Sequence, residues 1–112
     1  MNERLINIAT FTLATQADAD GVAGVYVPEA MLLTHISKFL TLVGSAATET
    51  IDVQDDGTDV VTAHDISANG VGELATPVRI AAGSVIEIDL NLVGGTSPTA
   101  SGEIALWGYV AE

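Results

Sequence analysis

The sequence predicts an all-β protein folded as one small antiparallel sandwich or barrel. Three observations point there. Val, Ile and Thr are abundant while Lys occurs once, and β-branched side chains suit the pleated, half-buried surface of a strand. The 112 residues are punctuated at short intervals by 11 glycines and 3 prolines, and short runs bounded by turn signals are the grammar of sandwiches and barrels. Several runs alternate apolar and polar residues with the two-residue period of a strand that buries one face.

Residues 7–15 and 22–27 read as the first strands, with Asp18-Ala19-Asp20-Gly21 as the turn between them. Residues 29–43 carry two signals. Leu32, Leu33, Ile36, Phe39, Leu40 and Val43 stand at helical spacing behind Pro28, with Gly44 placed as a helix cap. The β-rich surroundings pull the same segment towards a strand. Residues 48–53 and 58–63 read as a hairpin around Asp56-Gly57, because both residues tolerate positive φ. Residues 76–80 contain Pro77, which confines them to an edge strand or a short extended piece.

The clearest strand is 85–93, where Ile86, Ile88, Leu90 and Leu92 alternate with Glu87, Asp89 and Asn91. In 103–110, Ile104, Leu106, Gly108 and Val110 share one face and Ala105, Trp107 and Tyr109 the other. Read together, these two segments form an antiparallel hairpin with a loop of about seven or eight residues, longer than the tight type. No repeat, low-complexity tract or linker divides the chain, so one domain is expected.

Charge and composition exclude several functions. Against 15 acidic residues stand only Arg4, Lys38 and Arg79, for a formal net charge of −12. No basic patch exists to neutralise phosphates, so neither nucleic acid nor an anionic membrane surface is an expected partner. The absence of cysteine removes disulfides, thiolate metal sites and thiol nucleophiles. No secretory signal is legible in the first residues, and no stretch approaches the roughly 18 apolar residues of a membrane span. With 48% hydrophobic residues, the chain is too apolar to be disordered by its charge.

Candidate chemistry is thin. Asp52, Asp55, Asp56 and Asp59 cluster in the way calcium ligands do, but with Gly57 at the sixth position of a calcium loop the twelfth is Ala63 where Glu is required. The favoured reading is solvated hairpin carboxylates, and the same holds for Asp18 and Asp20. His35 and His64 belong to no metal-binding spacing, and no third ligand can be named. Gly44-Ser45, Gly83-Ser84 and Gly70-Val71-Gly72 complete neither a nucleophile elbow nor a dinucleotide fingerprint. No enzyme, cofactor or metal is expected. Trp107 and Tyr109 say more: aromatics make up 4% of the chain, yet these two share one face of the last strand. With Ile104, Leu106 and Val110 in the core, the pair lies outside, where large aromatics anchor interfaces. The reverse assignment puts the aromatics in the core and the aliphatics against a neighbour.

A set of turns and strands between Pro28 and Val110 carries a resemblance. It runs through Val27-Pro28 with Leu33-Thr34-His35-Ile36-Ser37-Lys38; Val43-Gly44-Ser45-Ala46-Ala47-Thr48; Ile51-Asp52-Val53-Gln54-Asp55-Asp56-Gly57-Thr58; Ile80-Ala81-Ala82-Gly83-Ser84-Val85-Ile86-Glu87-Ile88-Asp89-Leu90; and Val93-Gly94-Gly95-Thr96. These resemble a β-sandwich module widespread among virion proteins of tailed bacteriophages, including capsid decoration (cement) proteins and tail-associated proteins. Asp56 stands where that module commonly has Asn, and Ser84 where it commonly has Asp; both keep turn chemistry.

The resemblance implies a single jelly-roll-like antiparallel β-sandwich, makes 29–43 a strand, and brings no catalytic residues with it. It implies a structural virion protein on the outer capsid surface, made in the host cytoplasm, that stabilises the shell by bridging major capsid protein subunits. Its other expected partner is itself, as a homodimer or homotrimer. The alternatives are a tail- or neck-associated protein of the same fold and a carbohydrate-binding adhesive module. Residues 1–9 are a candidate N-terminal arm or the first strand, with 10–112 as the sandwich domain. Candidate interface residues are Leu5, Ile6 and Ile8 in that segment, with Trp107 and Tyr109.

Overall fold

In the computed structural model, which describes residues 4–111, the chain runs through eight strands: β1 (Ile6–Gln16), β2 (Ala19–Val27), β3 (Met31–Ser45), β4 (Thr48–Asp55), β5 (Thr58–Asp65), β6 (Gly70–Ile80), β7 (Ser84–Val93) and β8 (Thr96–Val110). They make two antiparallel four-stranded sheets, ordered β1-β8-β3-β6 and β2-β7-β4-β5. This order is the double Greek key of a jelly roll.

The inner faces meet in one apolar core, Phe11 being its buried aromatic. Phe11, Leu33, Ile36, Ile104 and Leu106 come from the first sheet and Ile51, Val53, Ile86, Ile88 and Leu90 from the second, all fully buried. Alternation put the right residues inside on β7 and β8, with one exception: Val110, expected in the core, is exposed at the end of β8.

The segment with helical spacing is β3, a 15-residue strand. Its register against β8 and β6 shifts between Leu33 and His35. The extra residue there spaces the buried Leu33 and Ile36 by three instead of two, while Lys38 takes the inward position before Leu40. Core residues at 33, 36 and 40 therefore imitate a helix. The hairpin around Asp56-Gly57 forms as β4 and β5, with Asp55 opposite Thr58 and φ of 49° and 86° at the two turn residues, the mirror-image turn that matches strand twist.

Two expected connections are different. Segments 85–93 and 103–110 are not a hairpin: β7 pairs with β2 and β4, and β8 with β1 and β3. Gly94 and Gly95, both at positive φ (82° and 73°), carry the chain from one sheet to the other, and β8 already begins at Thr96. The first turn is Ala17-Asp18, and Gly21 lies within β2. Asp18 fixes this turn by accepting the Leu92 N–H at 2.9 Å. Residues 6–9 belong to β1, where Ile6 faces Gly108 and Ala9 faces Leu106, so Ile6 and Ile8 sit in the sheet and not in a free arm. Residues 1–3 of that segment lie outside the described residues.

All four edge strands are interrupted. β1 shifts register twice and holds Thr15 at φ 51°; β2 does the same around Ala23 at φ 49°. β5 bulges at Ala63, φ 53°, and β6 carries Pro77 inside its shift against β3. Bulges and proline deny a straight ladder to any incoming strand.

Candidate functional site

The fold leaves little besides its surfaces. Its interior is filled by apolar side chains, and no connection between strands exceeds the four residues 66–69. Loops long enough to build a pocket, where binding residues usually gather, are missing among the described residues. The two outer sheet faces are what this protein presents, and they differ sharply.

On the outer face of β1-β8-β3-β6, three rows of side chains cross the strands. The first is Asn7, Trp107, His35 and Glu73; the second is Thr10, Ala105, Ser37 and Val71; the third is Thr12, Glu103 and Phe39. The middle row is made mostly of small residues, so Trp107 and Phe39 stand as walls on either side of a groove. It opens into two hollows of ≈ 490 Å³ and ≈ 280 Å³: the first runs past Asn7 and Glu103, and the second is closed by Leu5 and Val71. The Trp107 indole N–H donates to Ser37 Oγ at 2.8 Å. Its polar atom is thereby satisfied within the sheet, and the ring offers only apolar surface. Phe39 is 62% exposed, as is Val71. The ionisable groups in register on this face are Glu73, Glu103, Arg79 and His35, close to neutral in sum.

The outer face of β2-β7-β4-β5 is acidic. Asp52, Gln54, Glu87 and Asp89 occupy its centre in register, with Asp59 and Asp65 beside them on β5. Carboxylate oxygens of Asp52, Asp59 and Asp89 lie within 4.8 Å of one another. Each is held by a donor. Asp52 accepts the Ala63 N–H (2.8 Å), Asp89 accepts the Gly21 N–H (2.8 Å), and Gln54 donates to both Asp59 and Asp89 (3.0 Å each). Asp56 accepts the Val85 N–H at 2.7 Å, strapping the β4–β5 turn onto β7. Asp52 and Asp56, expected to be merely solvated, thus fasten a bulge and a turn through charge-assisted hydrogen bonds.

A third feature lies between the sheets. Lys38, opposite Ile104 on the inner side of β3, extends past Gly72 to His64 on β5, with Nζ donating to Nε2 at 3.1 Å. Partial burial, and then the Lys38 charge, hold the His64 pKa below its ordinary 6.5, while Asp65 pulls weakly the other way. A folded-state pKa below the unfolded one means that the unfolded chain takes the proton first. This contribution to stability is complete above pH 6.5 and is lost as pH falls below it towards the folded value. Urea midpoints measured between pH 7.5 and 5 are therefore expected to fall more steeply for the wild type than for His64→Gln; equal slopes refute the coupling.

The residues read from sequence as an interface are only partly united. Leu5 and Trp107 line the same hollow. Tyr109 lies two residues further along β8, opposite Leu32 on the same face. Ile6 is half-exposed on β1, and Ile8 packs against the core. Trp107 and Tyr109 point away from the core, which Ile104 and Leu106 fill. Sequence reasoning missed Phe39 and Val71; the available signal was that a strand burying Leu40 must turn Phe39 outward. His35 lies on the outer face, bonded to Thr34 Oγ1 at 2.7 Å, and does not meet His64. In comparisons with protein-family models, curated proteins and solved structures, nothing matches this chain.

Proposed function

We propose that the protein is a structural virion component that decorates the outer surface of a tailed-phage capsid and stabilises it by bridging major capsid protein subunits. The observation that carries this reading is the contrast between its outer faces, one apolar and nearly neutral, the other lined with carboxylates, on a jelly roll with minimal loops. Such a body works by being placed against other proteins. The bulged edges argue against attachment by strand addition, which leaves the faces. The acidic face complements basic patches on a shell and steers encounter with them. A part that binds only the assembled lattice stabilises that lattice by mass action, and contacts to two subunits at once strengthen it through effective concentration. The turn-and-strand resemblance to phage decoration modules supports the same assignment, at the virion surface after synthesis in the host cytoplasm.

The test is rebinding. Purified protein added to expanded shells that lack it is expected to bind in many copies, to raise the temperature at which the shells disrupt, and to detach as salt screens the acidic face. Failure to bind such shells overturns the assignment, and a few copies per particle move it to the tail or neck. The aromatic walls Trp107 and Phe39 favour one second reading, a carbohydrate-binding adhesive module. A glycan-array signal abolished by Trp107→Ala establishes that alternative.

A further inference from the structure

The groove between Trp107 and Phe39 lies beside a projecting Phe39 ring, so the same face carries both a knob and a hole. We infer that the outer face of β1-β8-β3-β6 is the interface of a twofold homodimer in which Phe39 of each copy enters the groove of the other. This deepens the structural reading above, on which it rests, by naming what covers the apolar face. A twofold interface uses one patch twice and needs that patch to be self-complementary. Phe39 against a floor of Thr10, Ser37 and Ala105 supplies this, with Leu5 and Val71 closing one end.

Charge selects the occupant. A basic partner is drawn to the carboxylates of the opposite sheet and finds almost no field here. Two chains of −12 each repel unless they meet on their least charged surface. Paired through this face, their acidic sheets become the outermost of four layers, about 30 Å apart at a spacing of about 10 Å per layer. That exceeds the screening length of about 8 Å at physiological salt, so the repulsion is largely suppressed. Size is adequate as well. Four strands about 4.8 Å apart and about ten residues long present roughly 600 Å² before side-chain relief, near the roughly 800 Å² per partner of a standard interface. The product is a particle with two identical acidic faces, back to back.

The experiment is sedimentation of the free full-length chain across a concentration series, with the emission of the single tryptophan as a second readout. A dimer is expected that persists or tightens as salt rises, with Trp107 emission shifting red on dilution. Phe39→Asp and, separately, Val71→Asp alter exposed side chains and should leave circular dichroism and thermal unfolding intact. Phe39→Asp is expected to weaken dimerisation roughly 1,000-fold, since a central aromatic anchor is lost twice in a symmetric pair. A monomer at all concentrations overturns the inference, as does a dimer indifferent to both substitutions. So does a monomer whose shell binding is abolished by Phe39→Asp, because the face then belongs to the lattice. Shell binding is scored separately, so loss of the dimer and loss of the decoration role give different results.

Discussion

Gly108→Ala is expected to be among the most damaging single-methyl changes in this protein. Gly108 lies in β8, between Ile6 of β1 and Leu33 of β3, where β3 makes its bulge. A Cβ there falls onto the Leu32 carbonyl oxygen, 2.8 Å from its carbon and 3.1 Å from Leu33 Cα. Every atom in the way is backbone, held by the central ladder of the sheet, so no side chain can swing aside. The expected cost is about 4 kcal/mol or more, in the range reserved for forced rearrangement of a core, against a total stability of about 5–15 kcal/mol. Gly57→Ala separates sterics from backbone preference. Gly57 has φ 86° with nothing near its missing Cβ, so the left-handed conformation alone costs about 1–2 kcal/mol. Urea denaturation followed by circular dichroism measures both, and a Gly108→Ala protein as stable as Gly57→Ala contradicts the packing described.

Phe11→Ala should follow closely, at about 3–5 kcal/mol. Phe11 is the one aromatic among the largest fully buried side chains, and it sits on β1, whose only ladder is to β8. Removing the ring leaves a cavity against Ile104, its partner in register, which rigid neighbouring strands cannot collapse to fill. The midpoint in urea should fall with little change in slope, because the surface exposed on unfolding stays nearly the same. A loss below about 1 kcal/mol means that β1 repacks freely, and this account of the core fails.

Local chemistry made some of the architecture readable in advance. The β7 alternation is legible because both its faces are simple: aliphatics inward, carboxylates and an amide outward. The β4–β5 hairpin is legible because Asp56-Gly57 determines a turn by itself. β3 was ambiguous for a physical reason, since a bulge at Leu33–His35 moves the buried positions to a spacing that a helix also produces. The β7–β8 hairpin failed because adjacency in sequence usually means pairing, whereas Gly94-Gly95 sends β8 to the other sheet. Of the candidate site, Trp107 was legible as a large aromatic with an outward position, and Leu5 as an apolar residue of the N-terminal segment. Phe39 and Val71 were hidden by the bulge and by the weak pattern of Gly70-Val71-Gly72, and only the register across four strands assembles them into one groove.

The place of β8 has a consequence for how the chain comes into being. It is the strand that joins β1 to β3, and it comes after every other strand in synthesis. At about 5–20 residues per second, β1 waits several seconds for its only partner, and the first sheet has nothing to bridge its two halves. Folding must therefore be a single late event, slow in the manner of non-local β topologies, and loss of residues 96–110 takes away the middle of the sheet together with its end. The kinked edges have their greatest value in that interval, when the strands of a nascent chain are still unpaired and open to those of other copies.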